Sequence, residues 1–243
     1  MIKINKEKIA IEIEKQIKIA LVSDFEITHS IKLIRECVDK LNTLDVDIIC
    51  LAGDFILKEK SVKFLSEFSK LKKPAFAVLG NHDFAAPLNS SSLNFSRANK
   101  IAHELNKAGV KVLRNEAVSI KIKDQEIIIA GIDDIYTNPN PELFFNQATI
   151  LLCHNPDIVY HPIASQALLT LSGHVHGGTF KWLPFKKQIF NYTTCKSSSL
   201  KYAGLIEHLD RKVFVTKGVG GILGFIRIGI DREISYLTLG PKD

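Results

Sequence analysis

Two short runs carry residue types able to do chemistry: Gly80-Asn81-His82-Asp83, and Gly173-His174-Val175-His176-Gly177-Gly178. Each follows an apolar stretch, residues 74–79 and 167–171, with the length of a buried strand and a glycine or small residue at its end. Four more apolar runs stop in the same way. Residues 19–23 lead to Asp24, residues 48–53 to Asp54, residues 127–131 to Asp133 and Asp134, and residues 150–153 to His154. In open α/β sheets, sites gather beyond the carboxyl ends of the strands, so the repetition predicts that Asp24, Asp54, Asn81, His154, His174 and His176 converge. Carboxylate oxygens, imidazole nitrogens and an amide carbonyl are ligands for hard to borderline divalent ions, and no thiolate set competes with them.

The elements that must position these groups follow from periodicity. Ile31, Ile34, Val38 and Leu41 fall on one helical face after the first strand end; Val62, Leu65, Phe68 and Leu71 predict a second helix, and Ala98, Ile101, Ala102 and Leu105 a third that Gly109 terminates. The resulting β-α-β-α-β-α order predicts a parallel sheet as far as about residue 113, built by right-handed crossovers. Val118, Ile120 and Ile122 then alternate before a turn at residues 123–125, the signature of a hairpin. Beyond His176 the chain is β-rich again at residues 212–216, 226–230 and 233–239. Two facing sheets with helices outside use all of these elements.

At 243 residues and 46% hydrophobic content, the chain is long enough to bury a substantial core. No linker or repeat divides residues 1–243, so one domain is expected. Cys37, Cys50, Cys153 and Cys195 have no CxxC spacing and fall mostly in apolar patterns, which suits buried thiols in a reducing compartment. The amino terminus has no signal-type apolar region, and no run reaches the roughly 18 apolar residues of a membrane span, so a soluble, cytoplasmic protein is expected. The +6 net charge, from 32 Lys and Arg against 26 Asp and Glu, favours anionic partners.

Asp24, Gly53-Asp54, Gly80-Asn81-His82-Asp83, Cys153-His154 and Gly173-His174-Val175-His176 occur in an order that resembles the calcineurin-like metallophosphoesterases. The likeness spans nearly the whole chain. A chance GNHD alone has odds of roughly one in a thousand in a chain this long, whereas a lone Gly-Asp carries no information. Residues 112–116, 131–134, 154–157 and 176–178 resemble further the bacterial subgroup of cell-envelope phosphodiesterases and UDP-2,3-diacylglucosamine hydrolases.

The resemblance implies an α/β fold, a four-layer sandwich of two facing mixed β-sheets flanked by helices. It also implies two divalent metal ions bridged by Asp54. One would add Asp24 and His176, and the other Asn81, His154 and His174. His82 would not ligate a metal but would face the substrate, stabilising the phosphoryl group or protonating the leaving oxygen, with Asp83 orienting its ring. Such a pair of ions acidifies a shared water and neutralises phosphoryl oxygens during in-line attack. Mn²⁺ fits the donor set first, with Mg²⁺, Fe²⁺ and Zn²⁺ as alternatives.

One departure stands out. The family's first motif is Asp-x-His, and here it reads Asp24-Phe25-Glu26. Glu26 could ligate as a carboxylate, which biases that site toward Mn²⁺ or Mg²⁺; His29 is the other group able to reach back. With Asp24, Glu26 and Asp54 ionised, two divalent ions leave a net charge of about +1, against about +2 for a neutral His at position 26.

The substrate implied is an anionic phosphoester or pyrophosphate, nucleotide-linked or lipid-linked in the manner of UDP-2,3-diacylglucosamine. Residues 180–190 mix aromatics with lysines, which suits a lipid or a membrane surface, with the chain peripheral at the inner membrane face, or a stacked base. Residues 84–96 are a second candidate substrate lip. Two other readings compete: a catalytically weak binding scaffold, supported only by Glu26, and a nuclease, favoured by charge alone.

Overall fold

The computed structural model describes residues 1–84, 93–135, 137, 147–178, 202–221, 227 and 229–241. Two sheets of six strands face one another. The first comprises β1 (Ile2–Ala10), β2 (Ile17–Val22), β3 (Ile48–Ala52), β4 (Ala75–Val78), β5 (Val110–Val112) and β12 (Arg232–Gly240), in the order β1-β12-β2-β3-β4-β5. The second comprises β6 (Glu116–Ile122), β7 (Gln125–Gly131), β8 (Ala148–Leu152), β9 (Ala167–Ser172), β10 (Gly204–His208) and β11 (Arg211–Val215), in the order β10-β11-β9-β8-β7-β6.

β2 through β5 run parallel, as the alternating β and α pattern predicts. β12 lies antiparallel to β2 and parallel to β1, which makes the first sheet mixed. In the second sheet β7, β8, β9 and β11 are parallel, and hairpins at each end supply the antiparallel edges. The hairpin from β6 to β7 turns on Lys123 (φ 51°) and Asp124 (φ 67°), the left-handed pair of a two-residue turn.

The helices sit where their apolar stripes direct them. α1 (Lys32–Leu41) buries Ile34, Cys37, Val38 and Leu41, and α3 (Phe95–Lys107) buries Ala98, Ile101, Ala102 and Leu105; between them the short α2 (Asn81–Phe84) follows β4. The stretch with Val62, Leu65, Phe68 and Leu71 forms 3₁₀ turns over Glu59–Lys70 rather than an α-helix. The stripe Val62, Leu65, Phe68 and Leu71 steps by three, the period of a 3₁₀ turn, whereas α1 mixes steps of three and four.

Ile19, Leu21, Cys50, Ile129, Leu152 and Leu171 are among the side chains filling the space between the sheets. Phe25, Phe55, Phe68 and Ile34 pack on the outer face of the first sheet, and Cys153, Ile158, Ile163 and Val213 on that of the second. The fold is thus α/β, a four-layer arrangement of two mixed sheets with helical segments outside. Cys37, Cys50 and Cys153 are buried free thiols, while Cys195, residues 180–190 and most of residues 84–96 lie outside the described residues; within 226–230, expected to be β, the described residues 227, 229 and 230 belong to no strand. Among the described residues no helix is long and apolar enough to cross a membrane.

Gly131, at the end of β7, sits at a close approach between the sheets. A Cβ there would overlap Leu113 and lie 2.8 Å from Val78 Cγ1. Gly131→Ala is therefore expected to lower stability by about 1–3 kcal/mol through overpacking. Denaturant midpoints at unchanged slope would measure it, and a variant as stable as wild type would show that the sheets part without cost.

Candidate metal centre

Asp24 follows β2, Asp54 follows β3, and Asn81 and His82 follow β4, all from the first sheet; His154 follows β8, and His174 and His176 follow β9, from the second. The site therefore lies across the carboxyl edges of both sheets. Asp24 (φ 55°), Glu26 (φ 45°), Asp54 (φ 57°), His174 (φ 73°) and His176 (φ 46°) all adopt left-handed backbone conformations. Each such residue stores of order 1–3 kcal/mol, and clusters of them occur where the surrounding structure over-determines a functional geometry.

Backbone hydrogen bonds supply that over-determination. Asp24 N–H donates to Gly53 O at 3.0 Å, Glu26 N–H to Asp54 O at 2.9 Å, and Gly173 N–H to His154 O at 2.9 Å. Gly53 (φ 84°) has to be glycine, because a Cβ would lie 2.6 Å from Gly80 N and 2.8 Å from His154 Nδ1. A Cβ at Gly80 would fall inside the Asp54 carboxylate. The glycines before Asp54 and Asn81 thus let three loops close on one point.

Asp54 is the centre of that point. Its Oδ1 accepts the His82 N–H at 2.8 Å, and its Oδ2 lies 3.1 Å from His154 Nε2. His154 Nδ1 lies 2.6 Å from Ala52 O, a carbonyl that can only accept, so Nδ1 carries its proton and Nε2 faces the site. That Nε2 is 3.1 Å from His174 Nδ1, and ligand atoms of Asp54, His154 and His174 all lie within 4.8 Å of one another. Glu26, Asp54 and His82 form a second such group, so Asp54 belongs to both.

Around these, His176 Nε2 is 3.6 Å from Asp24 Oδ1 and from Glu26 Oε1, and His82 Nε2 is 3.7 Å from Glu26 Oε1. The Asp24 carboxylate accepts the His174 N–H at 3.1 Å and the Ser23 hydroxyl. Asn81 Oδ1 is buried with no hydrogen-bond partner among the described residues. A buried amide oxygen without a donor costs about 1–3 kcal/mol unless a cation takes its lone pairs. The oxygen and nitrogen donor set and this orphaned oxygen fit divalent ions.

His29 does not reach the site. It is exposed, with its Nε2 2.7 Å from Lys58 Nζ. Asp83 also differs from the expectation that it orients the His82 ring. Its buried carboxylate accepts the backbone N–H groups of Asp54, Phe55 and Gly80, each at 2.9 Å, and so fixes the loops that carry Asp54 and Asn81. Arg97 of α3 secures the same turn from behind, donating to Ile56 O at 2.7 Å and His82 O at 3.3 Å. Arg97 was missing from the sequence reading because its partners are carbonyls, which no motif records. Asp133, at the remaining strand end, pairs with Arg114 at 2.8 Å.

Residues 17–178 match the family model described as calcineurin-like phosphoesterase. The chain belongs to that family. As a calcineurin-like phosphoesterase it is a hydrolase of phosphoester bonds. The phosphodiesterase YaeI of Escherichia coli is 30% identical over 203 residues, 79% of this chain and 70% of that protein. The UDP-2,3-diacylglucosamine pyrophosphatase LpxG of Chlamydia trachomatis is 27% identical over 259 residues, 84% of this chain and 78% of that protein. Among solved structures, TT1561 of Thermus thermophilus shares the fold with a TM-score of 0.51 at 11% identity, covering 83% of this chain and 89% of that one.

Electrostatics give the metal-free phosphoesterase a defined protonation pattern. Burial opposes ionisation of Asp54, but the imidazoles of His154 and His82 hold it well below the ordinary carboxylate range. Burial likewise disfavours charge on His154, yet Asp54 beside it raises its pKa well above the usual imidazole value. Burial and then the neighbouring His154 push His174 well below that value, and burial lowers His176. Asp83 is pushed up to about 7, by burial and then by Asp54, against its amide donors.

His154 is thus an imidazolium paired with Asp54, and a metal ion has to displace its Nε2 proton. Below the raised His154 pKa that proton competes, so metal affinity is expected to rise about tenfold per pH unit as pH rises toward it. Mn²⁺ titrations at pH 6, 7 and 8, in buffers of different ionisation enthalpy, would count the protons released. A flat profile with no release would contradict the pairing.

Proposed function

We propose that this phosphoesterase cleaves a phosphodiester or pyrophosphate bond in a nucleotide-linked or lipid-linked substrate of the UDP-2,3-diacylglucosamine type, using two divalent ions bridged by Asp54. The observation that carries the reading is that Asp54 belongs to two candidate ligand groups, one with His154 and His174 and the other with Glu26 and His82. YaeI and LpxG, a phosphodiesterase and a pyrophosphatase by name, support the substrate class.

Asn81, His154 and His174 would hold one ion, and Asp24, Glu26 and His176 the other. When bound, the ions acidify a shared water and neutralise the phosphoryl oxygens. His82 then has the right placement for an acid. Its backbone is pinned to Asp54 Oδ1 while its ring is partly open to solvent, so it can meet a substrate and protonate the departing oxygen. With oxygen donors in the majority around Asp24 and Glu26, Mn²⁺ is the preferred ion.

A panel of bis-p-nitrophenyl phosphate, p-nitrophenyl phosphate, UDP-2,3-diacylglucosamine and single-stranded DNA, each with Mn²⁺, tests the reading. Turnover on the diester and the pyrophosphate supports it, cleavage of DNA alone would make the protein a nuclease, and binding without turnover would make it a scaffold. On the preferred substrate, His82→Ala is expected to cut kcat by about two to four orders of magnitude with metal content nearly unchanged. Asp54→Ala is expected to lose both ions and all activity. Full turnover of His82→Ala on a poor leaving group would remove the acid role.

Glu26 has its own test. As a ligand, Glu26→Ala empties the Asp24 half first, while Glu26→His keeps two ions and shifts preference toward Zn²⁺ or Co²⁺. Elemental analysis of wild type and both variants decides, and two equivalents of Mn²⁺ in all three would refute ligation by Glu26.

A further inference from the structure

The chain beyond residue 178, outside the span that matches the family, returns to the site as a strap over Asp24. After β11, Val219 N–H donates to Ser23 O at 3.0 Å and Gly220 N–H to Asp24 O at 2.5 Å. The approach requires glycine twice. At Gly218 (φ 68°) a Cβ would lie 2.7 Å from Asp24 Oδ2, and at Gly220 it would overlap the Asp24 carbonyl.

The strap is held from its other side. In a trans peptide the C=O and N–H point in opposite directions, so a peptide gripped at both ends has no freedom to turn. The Gly218–Val219 peptide is gripped in this way: its carbonyl accepts from Glu233 N–H at 2.9 Å while its N–H reaches Ser23. The Val219–Gly220 peptide is gripped by the Arg232 guanidinium at its carbonyl and by Asp24 at its N–H. Arg227 brackets both, donating to Lys217 O at 2.5 Å and to Gly220 O. Lys217 Nζ is fastened to the Glu233 carboxylate at 2.5 Å. Burial pulls the Arg227 pKa down to about 10 against the opposing pull of Asp24, which leaves the guanidinium charged at neutral pH.

We propose that Arg227 is a positioning residue for Asp24: by bracketing residues 217–220 it holds the strap whose Gly220 N–H fixes Asp24 in its left-handed conformation, with the carboxylate turned to the metal centre. The proposal rests on the reading that the Asp24 carboxylate helps to hold an ion. It makes the C-terminal segment part of the centre through its backbone amides.

Amide hydrogen exchange on the metal-free protein, paired with Mn²⁺ titration, tests it in Arg227→Gln and in the milder Arg227→Lys, which keeps the charge but loses the two-pronged grip. Arg227→Gln is expected to speed exchange at Gly220 and at His174, whose N–H donates to the Asp24 carboxylate, at least tenfold. Phe55, whose amide is held by Asp83, should keep its protection. On titration one ion should stay tight while the other weakens at least tenfold, with Arg227→Lys intermediate in both measurements. Unchanged exchange at Gly220 and His174 overturns the proposal, as does equal acceleration at Phe55, which would mark general destabilisation. A wild type that binds fewer than two ions sinks the two-ion reading, while the exchange pattern still decides the role of Arg227.

Discussion

A carboxylate buried to 1% exposure is stable only if opposite charge surrounds it, and Asp54 obtains that charge chiefly from His154, carried by the opposing sheet. His154 arrives from β8 and His174 from β9, while the backbone amide of His82, after β4, satisfies the other oxygen. The centre therefore exists only when two sheets are docked in register. Leu21, Cys50, Leu152 and Leu171, buried between the sheets, are as much a condition of the site as its ligands, since sliding one sheet by a residue would carry the imidazoles away from the carboxylates.

The division of ligand types follows from the same geometry. The first sheet contributes Asp24, Glu26, Asp54 and Asn81, all oxygen donors, and the second contributes three imidazoles. Each donor rides on a loop turned sharply at a strand end, and the left-handed conformations of five of them are the local cost of pointing short side chains back across the sheet edges. Asp83 answers for part of that cost. One carboxylate satisfies three amides in loops where no strand ladder could, which explains a buried acid that ligates nothing.

Much of this was legible in the sequence because strands buried on both faces read as continuous apolar runs with abrupt ends. The parallel order of β2 to β5, the hairpin at Lys123 and Asp124, and the approach of Asp54 to His154 and His174 and of Asp24 to His176 all follow from that pattern. β1 was missed because Lys3, Lys6 and Lys8 interrupt the apolar signal of a sheet edge, where charge is tolerated on the open side. The placement of Asp83 and Arg97 was missed for a different reason. Their partners are backbone groups in distant loops, and backbone groups leave no letter in a sequence.

Glu26 joins these arguments. Its side chain is 2% exposed and its Oε1 stands between His176 and His82, so it belongs to the centre by position whether or not it ligates. A neutral imidazole there would offer a lone pair without adding negative charge. A carboxylate adds that charge, which attracts a cation and which burial penalises in the metal-free protein. An ion held on the Asp24 side would therefore be bound more tightly by a carboxylate than by an imidazole at position 26: a buried carboxylate is stable to the extent that positive charge lies against it, and a hard divalent cation would supply that charge in the most compact form.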